Sequence, residues 1–230
     1  MTEQTSNDDN PASGDLSGEV EFIAAERLIF FSDAVVAIAM TLLALSLTPP
    51  LLAASATNRD VLAALWTPER HLEYLAFLIS FAVIANHWRS HHRLFRYVSR
   101  LDQRIISLNL VWLFMIVVTP FASRLLSGNG GFGVRFGLYA VVQLFTMISF
   151  LLMSRHIRGN ALLRPDAPPA VTNESDDSWL VVAVFFALSI PFAFIPAIGQ
   201  WAFAFWVVGG FATRARQRRR DQRLLGQRQR

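Results

Sequence analysis

The 230-residue chain is 53% hydrophobic and 17% charged, whereas a soluble domain carries about 25% charge, so an ordinary water-soluble globule is excluded. Its formal net charge of +4 rests on arginine alone, with 21 Lys+Arg positions and no lysine in the sequence. There is no cysteine, which excludes disulfides, thiolate metal sites and cysteine nucleophiles.

From the N-terminus, residues 1–22 are polar and acidic. They lack the basic start and short apolar core of a cleaved signal peptide and read as a disordered cytoplasmic tail. Six apolar blocks follow: Leu28–Leu47, Leu72–Trp88, Ile105–Leu126, Phe132–Met153, Trp179–Pro196 and Ala197–Ala212. Blocks of about 17–25 residues suit a hydrocarbon core roughly 30 Å thick. The expected fold is therefore an all-α integral membrane protein with six transmembrane helices, a domain over residues 23–213. Residues 214–230 form a basic cytoplasmic tail. The absence of lysine, with abundant Ala, Arg and Leu, points to a GC-rich and hence prokaryotic genome.

Arginine placement sets the expected orientation. The second block exits into Arg89, Arg93, Arg96, Arg100 and Arg104, the fourth into Arg155, Arg158 and Arg164, and the sixth into a tail with eight arginines. The opposite loops are nearly bare: in Thr48–His71, Arg59 and Arg70 are balanced by Asp60 and Glu69. Both termini are thus expected in the cytoplasm. The basic tail reads as a membrane-side anchor with lipid headgroup contact, not a nucleic-acid site. Residues 160–177, rich in proline and acid, read as a cytoplasmic linker.

The first block carries Arg27, Ser32 and Asp33 in its first third, and an ionisable residue in a spanning helix costs roughly 2.5–3.5 kcal/mol on insertion scales. At about 100° per residue, Ala34, Thr41, Leu42 and Leu45 fall within about 60° of Ile38, whereas Asp33 lies about 140° away. If the Ile38 face meets an aqueous path, Asp33 needs a partner within the bundle. Trp88 and His92 share one face of the second block, and Asp102 and Asn109 one face of the third. A buried network of Arg27, Ser32, Asp33, Trp88, His92, Asp102 and Asn109 is the expected clamp on the first helix.

Other chemistries fit less well. His87 and His91 have i, i+4 spacing, yet no adjacent Glu supplies a base and Arg89 and Arg93 surround them, so no metal site is expected. The pair reads as interfacial histidines, with pH sensing as a minor alternative. Ser32, Asp33 and His92 lack the glycines of a nucleophile elbow, and Gly128–Gly133 lacks the Lys-Ser/Thr of a phosphate loop. An enzyme is not expected. The carbonyl filter signature TVGYG is absent.

The motif R-x-x-x-F-S-D (Arg27, Phe31, Ser32, Asp33), followed by a run ending in A-x-T-L-L, resembles the opening helix of the transmembrane protein 175 family of lysosomal and prokaryotic potassium channels. SFAVIANHWRSHHRLF and LDQRIISLNLVWLFMIVVTPFASRLL resemble its second and third helices, so the likeness covers Arg27 to Leu126. It implies a homotetramer in the cell membrane whose central pore is lined by the first helix and conducts potassium passively, with no cofactor. Ile38, Leu42 and Leu45 would form aliphatic constriction rings and Thr41 a polar ring. Arg27, Phe31, Ser32 and Asp33 would belong to the structural clamp. An aliphatic ring gates by dewetting. Packing inside one subunit is the plainer reading of the same stripe. The alternative function is a proton-coupled secondary transporter using Asp33 and His92, against which stands the lack of a paired broken helix in the first half.

Overall fold

A computed structural model describes residues 11–168, 171, 177–195, 198–206 and 208–210. The described residues form helices and no strand: α1 (Pro11–Leu45), α2 (Asn58–Leu65), α3 (Pro68–Phe95), α4 (Gln103–Ser127), α5 (Phe132–Gly159) and α6 (Asp177–Phe192). A single 3-10 turn, Gly199–Trp201, leads into helical residues 202–206 and 208–210. The Ile23–Leu45 part of α1, α4 and α5 are long and apolar enough to cross a membrane, and Trp179–Phe192 is a shorter apolar helix.

Local chemistry sets the boundaries. Thr57 caps α2 with a reciprocal box: Asp60 N–H donates to Thr57 Oγ1 at 3.4 Å and Thr57 N–H to Asp60 Oδ2 at 2.8 Å. Pro68 opens α3, where a missing N–H costs nothing. Asp102 caps α4 by accepting the Ile105 N–H at 2.7 Å. The α4–α5 turn needs Gly130 at φ +103°, and Arg135 then ties it down by donating to the carbonyls of Leu126 (2.7 Å), Gly128 and Gly130 (3.1 Å).

Three expectations change. Helix α1 starts at Pro11, so residues 11–22 continue the helix instead of forming an unstructured tail. Proline suits a first turn, Gly14 and Gly18 each cost only about 1 kcal/mol, and Glu19–Arg27 holds no breaker. The Thr48–His71 loop contains α2, which the capping box nucleates. The fifth span ends at Phe192, short of Pro196. Part of the expected sixth span, part of the 160–177 linker and the 214–230 tail lie outside the described residues.

Helix α1 packs on α3 and α4, α4 on α5, and α5 on α6. Two apolar cores result. One joins Val36, Ala39 and Leu43 of α1 to Ile84, Phe95, Ile105, Trp112, Ile116 and Met153. The other, at the opposite end of α4 and α5, gathers Ala122, Leu126, Phe136, Tyr139, Phe186 and Ala202, with Trp206 stacked between Phe136 and Phe186. At the α3–α4 turn, Val98 and Leu163 form an isolated antiparallel bridge, with Ser99 N–H donating to Leu162 O at 2.9 Å and Arg164 N–H to Tyr97 O at 2.8 Å.

Candidate pore face and its polar clamp

One side of α1 is locked and the other is bare. Ala25, Ser32, Val36, Ala39 and Leu43 are buried, following a helical 3–4 spacing against α3 and α4. On the opposite side Ile38 is 59% exposed, Leu45 79% and Leu42 41%, and Ala34, Ala37 and Thr41 are exposed too. Thr41 Oγ1 donates to Ile38 O at 2.8 Å, which folds the hydroxyl hydrogen onto the helix and leaves its oxygen free to accept from outside. The stripe is thus aliphatic with one acceptor.

The locked side is held by two separate chains of polar contacts. In the first, Ser32 Oγ donates to Leu28 O at 2.8 Å and accepts from Asn109 Nδ2 at 3.0 Å. Asn109 Oδ1 lies 2.8 Å from His91 Nε2. All three side chains are buried, and His91 is sandwiched between Phe95 and Trp112 at ring distances of 4.1 and 4.4 Å. In the second, Trp88 Nε1 donates to Asp33 Oδ1 at 2.8 Å. His92 Nδ1 lies 3.6 Å from Asp33 Oδ2, beyond hydrogen-bond length, and becomes its ion partner only when protonated. This second chain is half-exposed, while the first is dry.

Not every expected clamp residue joins. Asp102 caps α4 and binds His156 of α5 through its other oxygen, so it ties α4 to α5 and not to α1. Burial opposes its charge, but the bonds from His156 and the Ile105 N–H outweigh that and hold its carboxyl below the ordinary carboxylate range. Arg27 and Phe31 are exposed and enter neither chain. His91, absent from the expected clamp, is the hub of its dry half. The sequence carries a signal for it: Ser80, Ile84, His87 and His91 fall on one helical stripe, and all four are buried. His87 stacks on Trp179 at 5.4 Å.

A chain so arranged resembles known proteins. The sequence model of the family described as "Endosomal/lysosomal potassium channel TMEM175" matches residues 27–120, the segment that carries the stripe and both polar chains. A protein of Streptomyces collinus named as a potassium channel is 31% identical over 151 residues, covering 63% of this chain and 71% of the relative. One from Chamaesiphon minutus, also named a potassium channel, is 40% identical over 103 residues, 44% of this chain and 48% of that one. A solved structure, described as a lysosomal potassium-selective channel TMEM175 homolog from Chamaesiphon minutus, matches with a TM-score of 0.55 and 26% identity, covering 81% of this chain and 98% of that chain. The chain belongs to the TMEM175 potassium-channel family, a family of channels and not of enzymes.

Proposed function

We propose that four copies of this chain assemble in the cell membrane as a passive, potassium-preferring channel. Each subunit crosses six times with both termini in the cytoplasm, and the four α1 helices surround a central pore. Ile38, Leu42 and Leu45 line it as aliphatic rings, with Thr41 adding an acceptor oxygen between them. The observation that carries this reading is the contrast on α1: an uncovered aliphatic stripe opposite a side fastened by Ser32, Asp33 and their partners. A helix facing lipid on that side would need no such fastening, whereas a pore helix must hold one rotation about its axis.

The gate follows from size and polarity. A narrow aliphatic neck holds no continuous water, so an ion would have to shed hydration to pass. Tilting or rotating α1 brings Ala34 or Ala37 to the neck in place of Ile38 and lets it wet. With one threonine ring and no carbonyl filter, preference for potassium over sodium is modest. The clamp sets the rest position, because Ser32, Asn109 and His91 cannot separate without orphaning buried polar groups.

Purified protein in liposomes tests this directly. The expected result is potassium flux that follows the imposed potential, with discrete single-channel steps and no coupled proton movement. Ile38→Asn wets the neck and raises the current. Unchanged currents in a normally assembled Ile38→Asn channel would count against the pore assignment, and proton-coupled solute uptake without electrical steps would favour a transporter.

A further inference from the structure

The R-x-x-x-F-S-D stretch divides by helical phase into two sets of residues. Ser32 and Asp33 turn inward to their partners on α3 and α4. Arg27 and Phe31 precede Ile38 by eleven and seven residues, and at about 100° per residue both lie within about 20° of it. They share the uncovered stripe with Ile38 and Leu45. Phe31 is 52% exposed and Arg27 is exposed, and Arg27 makes no hydrogen bond or ion pair among the described residues. Glu26 is exposed as well, but it sits about 100° round the helix from Arg27 and off the stripe. At a rise of about 1.5 Å per residue, Phe31 lies about 10 Å and Arg27 about 16 Å from Ile38 along the axis, on the N-terminal side.

We propose that Arg27 forms a ring of fixed positive charge at the cytoplasmic mouth of the pore, walled by Phe31, and that this ring limits cation access from the cytoplasm. The proposal rests on the pore reading above. A guanidinium is charged at every physiological pH, and four of them around a narrow mouth raise the local potential and deplete cations there. The depletion acts only on ions approaching from the cytoplasm, so outward current is smaller than inward current at equal driving force. Because the Debye length is about 8 Å at 0.15 M and about 3 Å at 1 M, concentrated salt screens the ring. Phe31 adds low-dielectric wall, which keeps the field in the pore instead of letting water absorb it. The same stripe therefore carries two functions at different depths: a wetting barrier at Ile38 and a charge filter at Arg27.

The test compares wild type, Arg27→Gln, Arg27→Lys and Ile38→Asn as full-length channels in excised patches. Arg27→Gln is expected to raise outward conductance roughly two- to threefold in about 20 mM potassium chloride, and to match wild type in about 1 M. Arg27→Lys keeps the charge and the wild-type rectification. An assembled Arg27→Gln channel with an unchanged current–voltage curve in dilute salt overturns the ring. Loss of assembly in Arg27→Gln is equally contrary, since a residue facing the open mouth holds no subunits together. Ile38→Asn separates the two ideas: raised current there with no Arg27 effect sinks the ring alone, and no effect from either sinks the pore reading itself.

Discussion

Deleting Asn109 probes the clamp most sharply. Its side chain is fully buried, donates to Ser32 Oγ at 3.0 Å and meets His91 Nε2 at 2.8 Å. Asn109→Ala removes both contacts and leaves His91 Nε2 buried between Phe95 and Trp112 with no partner. Each lost interhelical bond inside a membrane costs about 0.6 kcal/mol on average and up to about 1.7, and an orphaned buried group adds about 1–3 kcal/mol. The sum is about 2–6 kcal/mol. Ser32→Ala costs less, because Ser32 Oγ also donates to its own helix at Leu28 O. Thermal unfolding in detergent, read by tryptophan fluorescence across a Ser32→Ala/Asn109→Ala double-mutant cycle, isolates the coupling, expected at about 0.6–1.7 kcal/mol. A coupling of zero within error, or an Asn109→Ala protein as stable as wild type, would refute the argument that this bond fixes α1.

Two other perturbations follow. A Cβ on Gly199 would sit 2.5 Å from the backbone oxygen of Ala193, which cannot move aside as a side chain could, so Gly199→Ala lowers the melting temperature by an amount equivalent to about 1–3 kcal/mol. Asp102 has a folded-state pKa below its ordinary value. The unfolded chain therefore binds the proton first as pH falls, and the stability from this carboxylate is full above about pH 4 and is lost as pH drops through the lower folded value. Melting temperatures measured from pH 7 downwards check this: Asp102→Asn is less stable than wild type near neutrality and converges with it in acid. A constant gap across that range would contradict the sign.

Much of the arrangement was legible because helical phase is periodic. Blocks of apolar sequence marked the long helices, and the Ile38 stripe with Asp33 turned away from it came from a turn of about 100° per residue alone. The uncovered state of that stripe matches this phase. Four features lie beyond what a sequence pattern shows, for distinct reasons. Arginines flank His91 in sequence as at a membrane interface, yet Arg89 and Arg93 lie on the exposed side of α3 while His91 lies on the stripe of Ser80, Ile84 and His87. The contact of Asp102 with His156 joins residues 54 apart, and no local rule links them. Helix α2 is short and buries nothing, so no apolar period marks it, although Thr57-x-x-Asp60 spells its cap. Arg27 and Phe31 adjoin Ser32 and Asp33 in one motif, and helical phase alone separates them.

The most direct test is an electron cryomicroscopy map of the full chain in a lipid nanodisc. The account predicts four subunits about a single axis, with Ile38, Leu42 and Leu45 facing it and Asp33 turned towards Trp88. A map in which Ile38 and Leu45 touch lipid, or in which α1 lies on the perimeter of the assembly, would contradict it.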